Sequence, residues 1–121
     1  MLESGIIHVI IKNCAQEQIE TLDEYAQERY VPFEKYNIIN RRFHMAYAAL
    51  TGNSLLMASL ESFFGQNFKG PSREFYNMVK GDMHKNHRAL IKALIDRDSD
   101  ATLDVLREEL RRTEDNDVVW Y

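Results

Sequence analysis

Apolar residues recur along most of the chain at steps of three and four, the spacing of a helix with one buried face. The stretch Leu2 to Asn13 is apolar almost all round, through Ile6, Ile7, Val9, Ile10 and Ile11, which suits a central buried helix. So short a β-branched run also fits a buried strand, and periodicity does not separate the two. From Gln16 the series Ile19, Leu22, Ala26, with acids between, predicts an amphipathic helix closing near Tyr30, before Pro32. A third helix is expected from about Phe33 to Thr51 on the stripe Tyr36, Ile39, Phe43, Tyr47, Leu50. At Thr51-Gly52-Asn53-Ser54 it stops: Gly52 suits the left-handed position after a helix, and Asn53 or Ser54 can cap the next one.

The fourth pattern, Leu55, Leu56, Leu60, Phe63 and Phe64, ends before Gly70-Pro71. Ser72 is placed to cap a long fifth helix with the stripe Tyr76, Val79, Met83, His87, Leu90, Leu94. Gly81 inside it costs about 1 kcal/mol against alanine and invites a kink. Asp98 or Ser99 caps a sixth helix on Leu103, Leu106 and Leu110, and the tail ends in the apolar run Val118-Val119-Trp120-Tyr121. No repeat, low-complexity segment or strand–turn–strand signal interrupts the series. The expected fold is all-α, an antiparallel bundle of about six helices.

Composition narrows the function. At 121 residues the chain has the length of a single domain spanning 1–121, and 45% apolar with 28% charged residues is a globular balance. A net charge of −4 argues against a chain built to coat nucleic acid, which needs a basic surface. The single cysteine, Cys14, excludes an internal disulfide and any cysteine-based zinc cluster, and a buried structural thiol is the expected role. The N-terminal apolar run is far short of a membrane span and lacks the basic flank of a signal peptide, so a cytoplasmic protein is expected. The basic pairs Arg41-Arg42 and Arg111-Arg112 read as solvated helix faces. There is no glycine-rich phosphate loop and no Glu-x-x-His pair.

The informative residues are polar ones on apolar stripes. Asn40 and His44 stand four apart on one face of the third helix, beside Phe43 and Tyr47. His87 holds a core-facing step between Met83 and Leu90, and Glu109 adjoins the Leu106–Leu110 stripe. Burying such groups unpaired costs several kcal/mol, by an order-of-magnitude estimate, so they should meet each other, water, a ligand or a metal. Two neutral imidazoles with a carboxylate suit a borderline divalent cation. Satisfied core histidines, with Glu108 and Glu109 as plain surface charges, are the commoner outcome for such a pattern. His84 is expected on the solvated edge of its helix, and His8 in core or interface.

The segment Asn40-Arg-Arg-Phe-His44-Met-Ala-Tyr-Ala-Ala-Leu-Thr-Gly-Asn53 resembles the Asp-x-x-Phe-His, small-residue and Gly-Asn signature of the FCD domain. That is the C-terminal effector-binding domain of the FadR subfamily of GntR-type transcription regulators. The segment from His87-Arg to Arg97-Asp98 is similar to the family's His-Arg, apolar, Gly-Asp run, with Arg97 in place of the glycine, and Leu2-Glu3 is similar to the start of its first helix. The resemblance covers roughly residues 2 to 112. It implies a pocket in which an Asp and three His often hold a divalent metal; the matching positions are Asn40, His44, His87 and Glu109, the last by the spacing 109 − 87 = 22. Two of the four depart from the pattern, since an amide is a poor metal ligand and Glu109 adds a charge.

The resemblance further implies a small effector, a carboxylate if a metal of the Zn, Ni or Mn class is present, bound near Asn40, His44, Tyr47, Met83, His87 and Glu109. It implies a homodimer, and DNA contact only through a winged helix-turn-helix domain that this sequence does not contain; fragment and standalone protein are equally open. No enzymatic activity is expected. A non-haem metal enzyme on His44, His87 and Glu109 is the alternative, although no general acid or base is evident, and a purely structural dimerisation bundle is a third.

Overall fold

The computed structural model describes the backbone over residues 2–27, 31–67, 73–79 and 82–115, and side chains over the same residues except 2–4, 63–67, 75, 79 and 109–115. Among these residues seven α-helices and a single 3-10 segment account for the regular structure, and no strand occurs. Helix α1 spans Leu2–Asn13, α2 Gln16–Glu20, the 3-10 segment η1 Thr21–Tyr25, α3 Phe33–Ala49, α4 Ser54–Asn67, α5 Arg73–Val79, α6 Asp82–Ile95 and α7 Ser99–Asp115. The all-α expectation is met, and the β-branched run at the N-terminus is helical.

Burial explains why α1 is a helix despite its Ile and Val. Ile6, Ile7 and Ile10 are sealed in the core, where tertiary contacts outweigh a propensity deficit of a few tenths of a kcal/mol per residue, an order-of-magnitude figure. Helix α1 packs against α3, α4, α6 and α7, so it is the central element the pattern suggested. Around it Phe43 and Tyr47 of α3, Leu60 of α4, Leu90 and Leu94 of α6 and Leu106 of α7 complete one cluster. A second, smaller cluster holds Val31, Tyr36 and Met83, with Ile39 and Tyr76 against it.

The helix boundaries follow local chemistry. Gly52 has φ +66°, the left-handed conformation expected after α3. The Asn53 side chain, not Ser54, caps α4: its Oδ1 accepts from the Leu55 and Leu56 amides at 3.0 and 3.2 Å. Asp98, not Ser99, caps α7, accepting the Ala101 amide at 3.0 Å. The helix expected to run from Gln16 to near Tyr30 is instead one turn of α2 followed by η1, and Ala26 leaves helical geometry at φ −125°. Tightening to 3-10 lets Ile19, Leu22 and Ala26 all turn inward over a short span, and Arg88 of α6 reaches Asp23 of η1 at 2.8 Å. Of the long fifth helix expected, the described residues form α5, Arg73–Val79, and α6, Asp82–Ile95, and residues 80 and 81 lie outside them. Ser72, Gly81, Leu110, Arg111, Arg112 and the tail from residue 116 lie outside what the structure describes at the level of side chains or altogether.

Candidate functional site

Helix α3 aims Tyr36, Asn40, Phe43, His44 and Tyr47 inward, and α6 aims Met83, His87 and Leu90 at them. All are buried; His44 is fully enclosed and His87 is 2% exposed. The centre is a direct hydrogen bond: His87 Nε2 and Asn40 Oδ1 are 3.0 Å apart. An amide oxygen only accepts, so His87 donates from Nε2 and its lone pair lies on Nδ1. Phe43 stacks on the His87 ring at 3.8 Å with planes 10° apart, which fixes the imidazole face. The His44 ring meets that of His87 edge-on at 5.6 Å, and Tyr47 meets His44 at 5.5 Å.

Electrostatics keeps His87 uncharged. Burial pushes the His87 pKa well below the ordinary imidazole value, and the neighbouring imidazoles of His44 and His84 push it further down. His87 is therefore neutral at pH 7. His84 does not occupy the solvated edge its spacing suggested. It is half-buried, its Nδ1 is enclosed with no hydrogen-bond partner among the described residues, and it is close enough to disfavour a proton on His87. The only signal of this in the sequence is its i,i+3 offset from His87, which puts the two on one side of α6.

Of the residues singled out in the sequence, Asn40, His44, Tyr47 and His87 share this layer, and Met83 lies in the adjoining apolar cluster with Tyr36. The side chain of Glu109 lies outside the described residues, although its backbone is in α7. His8 is exposed on α1, and Arg41 and Arg42 are exposed on α3. Cys14 is the buried thiol anticipated: Sγ donates to the Leu50 carbonyl at 3.2 Å, and burial raises its pKa against the opposing charge of Arg97. Such a thiol is a poor nucleophile.

The described donors do not by themselves fit a divalent metal. Two imidazoles and an amide oxygen bring no anionic ligand, and no group of three His, Cys, Asp or Glu side chains converges among the described residues. What the layer does offer is a buried set of hydrogen-bonding side chains, Asn40, His44, Tyr47 and His87, bounded by the Phe43 ring. A feature not foreseen is a cleft of about 450 Å³ between η1 and α3, lined by Glu24, Tyr25, Gln27, Ile39 and Arg42; none of the buried polar residues lines it.

Among the described residues no helix is long and apolar enough to cross a membrane. Compared with known proteins, the chain matches the sequence model of the FCD domain over residues 1–112. No curated protein and no solved structure matches it.

Proposed function

The chain belongs to the FCD domain family, and from that premise we propose that it senses a small effector for a GntR-type transcription regulator. The observation that carries this reading is the buried Asn40–His44–His87 layer, built by two helices from residues that a plain core would fill with apolar side chains. Evolution of a stable bundle alone favours apolar packing there, because each buried polar group must recover its lost hydration. The effector is a small carboxylic acid or a similar hydrogen-bonding molecule, held by His44, His87 and Tyr47 with Met83 against its apolar part. Binding changes regulation if the effector has different affinity for two arrangements of the domain, which then bias DNA binding by a separate domain of the regulator. The protein works in the cytoplasm as a homodimer and is not an enzyme.

A metal-dependent form of the same site would use His44 and His87 with Glu109 as the charged ligand. The neutral state of His87 supports it, since no proton competes for the imidazole. Asn40→Asp would then supply a further anionic ligand and tighten binding of Zn²⁺, Ni²⁺ or Mn²⁺ measured by calorimetry; unchanged affinity rejects the metal.

The direct test is a thermal-shift panel of small mono- and dicarboxylates on the wild type and on His87→Gln. At least one acid should raise the wild-type midpoint, by a few degrees for about 1–2 kcal/mol of linkage, and lose that effect in the variant. Acids that stabilise both proteins equally bind elsewhere and refute the site.

A further inference from the structure

The cleft between η1 and α3 is walled by residues that the effector reading does not use. Its volume of about 450 Å³ falls within the roughly 300–1,000 Å³ of small-molecule sites. Glu24 and Tyr25 line it from η1, Gln27 from just beyond η1, and Ile39 and Arg42 from α3. Asn40, His44 and His87 do not line it.

Both walls are anchored. Leu22 and Ala26, which flank Glu24 and Tyr25 in the chain, are buried in the main core. Asp23 is tied to Arg88 of α6 at 2.8 Å. On α3 the neighbouring Asn40 and Phe43 are buried, and Ile39 packs against the second cluster.

Each wall carries two adjacent like charges, and the fold uses only one of each pair. Asp23 pairs with Arg88, and Arg41 pairs with Glu61 at 3.7 Å. Their neighbours Glu24 and Arg42 line the cleft instead. Neither has a hydrogen-bond or ion-pair partner among the described residues, and the two do not pair with each other; Gln27 is likewise without one. A carboxylate and a guanidinium therefore face one space from opposite walls without closing on each other. A cleft concentrates the field of the charges that line it. The planar fork of a guanidinium matches a ligand carboxylate, and a carboxylate accepts from an ammonium. Tyr25, 42% exposed, and half-buried Ile39 add apolar surface to the same lining.

We propose that this cleft binds a free α-amino acid, its carboxylate on Arg42 and its ammonium on Glu24, with Tyr25 and Ile39 against its side chain. A zwitterion answers both charges at once, whereas a simple acid or a simple amine leaves one wall unmatched. The site is separate from the Asn40–His44–His87 layer and does not rest on that layer receiving an effector.

Calorimetry of the full chain with the common L-amino acids, each supplied alone at millimolar concentration, tests the proposal. At least one amino acid should bind saturably. Its analogues lacking the ammonium or the carboxylate should bind roughly tenfold more weakly, the effect of one lost charge-assisted contact. Glu24→Gln should abolish the preference over the analogue without the ammonium, and Arg42→Gln the preference over the analogue without the carboxylate. Both residues are exposed, so the thermal midpoints of these variants should match the wild type. His87→Gln should bind the amino acid as the wild type does, which separates this result from the fate of the effector reading. Three results overturn the proposal: no saturable binding by any amino acid, equal binding of the zwitterion and both analogues, or preferences unchanged in Glu24→Gln and Arg42→Gln. Binding lost in His87→Gln alone would place the ligand in the polar layer and overturn it as well.

Discussion

His87 donates to Asn40, stacks on Phe43 and is disfavoured as a cation by burial and two neighbouring imidazoles. Its effect on stability has a definite sign. In the unfolded chain it titrates near the ordinary imidazole value of about 6.5, while in the folded chain its pKa is well below that. Below about pH 6.5 the unfolded state takes up a proton that the folded state refuses, so stability falls with pH until the folded pKa is reached. Urea unfolding of the wild type should therefore give a lower free energy at pH 5.5 than at pH 7.5, by about 1 kcal/mol from this residue. His87→Gln should lose that share of the difference. An identical pH dependence in the variant would show that His87 is not held neutral.

Arg97 carries a second residue-scale prediction. It has φ 58°, where a β-carbon costs roughly 1–2 kcal/mol, and the family pattern has glycine there. The guanidinium reaches across to the end of α1 and donates to the Ile11 carbonyl at 2.9 Å and the Ile10 carbonyl at 3.3 Å. A cation thus supplies a donor to the Ile11 carbonyl and a second one to the Ile10 carbonyl, which already accepts the Cys14 amide, at the negative end of a helix dipole. Arg97→Ala should destabilise by about 1–2 kcal/mol, because it loses this cap and keeps the strained backbone. Arg97→Gly should cost less, since relief of the strain offsets the lost cap. Chemical denaturation of both variants checks the order; a glycine variant less stable than the alanine variant would contradict it.

At the scale of elements, the sequence is legible wherever a cap or a long stripe marks the helix. Gly52 and Asn53 end α3 and begin α4 as their chemistry dictates, and the α3 stripe of Tyr36, Phe43 and Tyr47 is the observed buried face. The polar residues on that face, Asn40 and His44, are recognisable because they break the stripe. Two features are not legible. The α2–η1 segment has helical spacing, yet η1 is wound as 3-10, a difference of one hydrogen-bond step that side-chain period does not encode. The pairing of His87 with Asn40 depends on how α3 and α6 meet in space. Forty-seven residues separate the bonded pair, and no local pattern carries that information.

The whole molecule is a bundle around α1, with one polar layer set between its main core and a small aromatic cluster. Exposed Leu55 and Ile38, at 74% and 52%, leave apolar side chains on α4 and α3 that association would cover. Sedimentation at micromolar concentration should therefore give about twice the 14.2 kDa of the chain, in keeping with the proposed homodimer. A purely monomeric protein would contradict that assembly.

The central claim is that the Asn40–His44–His87 layer receives the effector, and histidine side-chain nuclear magnetic resonance tests it most directly. Four imidazoles, His8, His44, His84 and His87, give a readable spectrum in protein labelled with nitrogen-15 at histidine. At pH 7 the free protein should show His87 neutral, with its proton on Nε2. A carboxylic acid that raises the thermal midpoint should then shift the His87 and His44 nitrogens saturably and leave exposed His8 unmoved. A saturable shift confined to His8, or a stabilising acid that moves none of the buried imidazoles, would contradict the account.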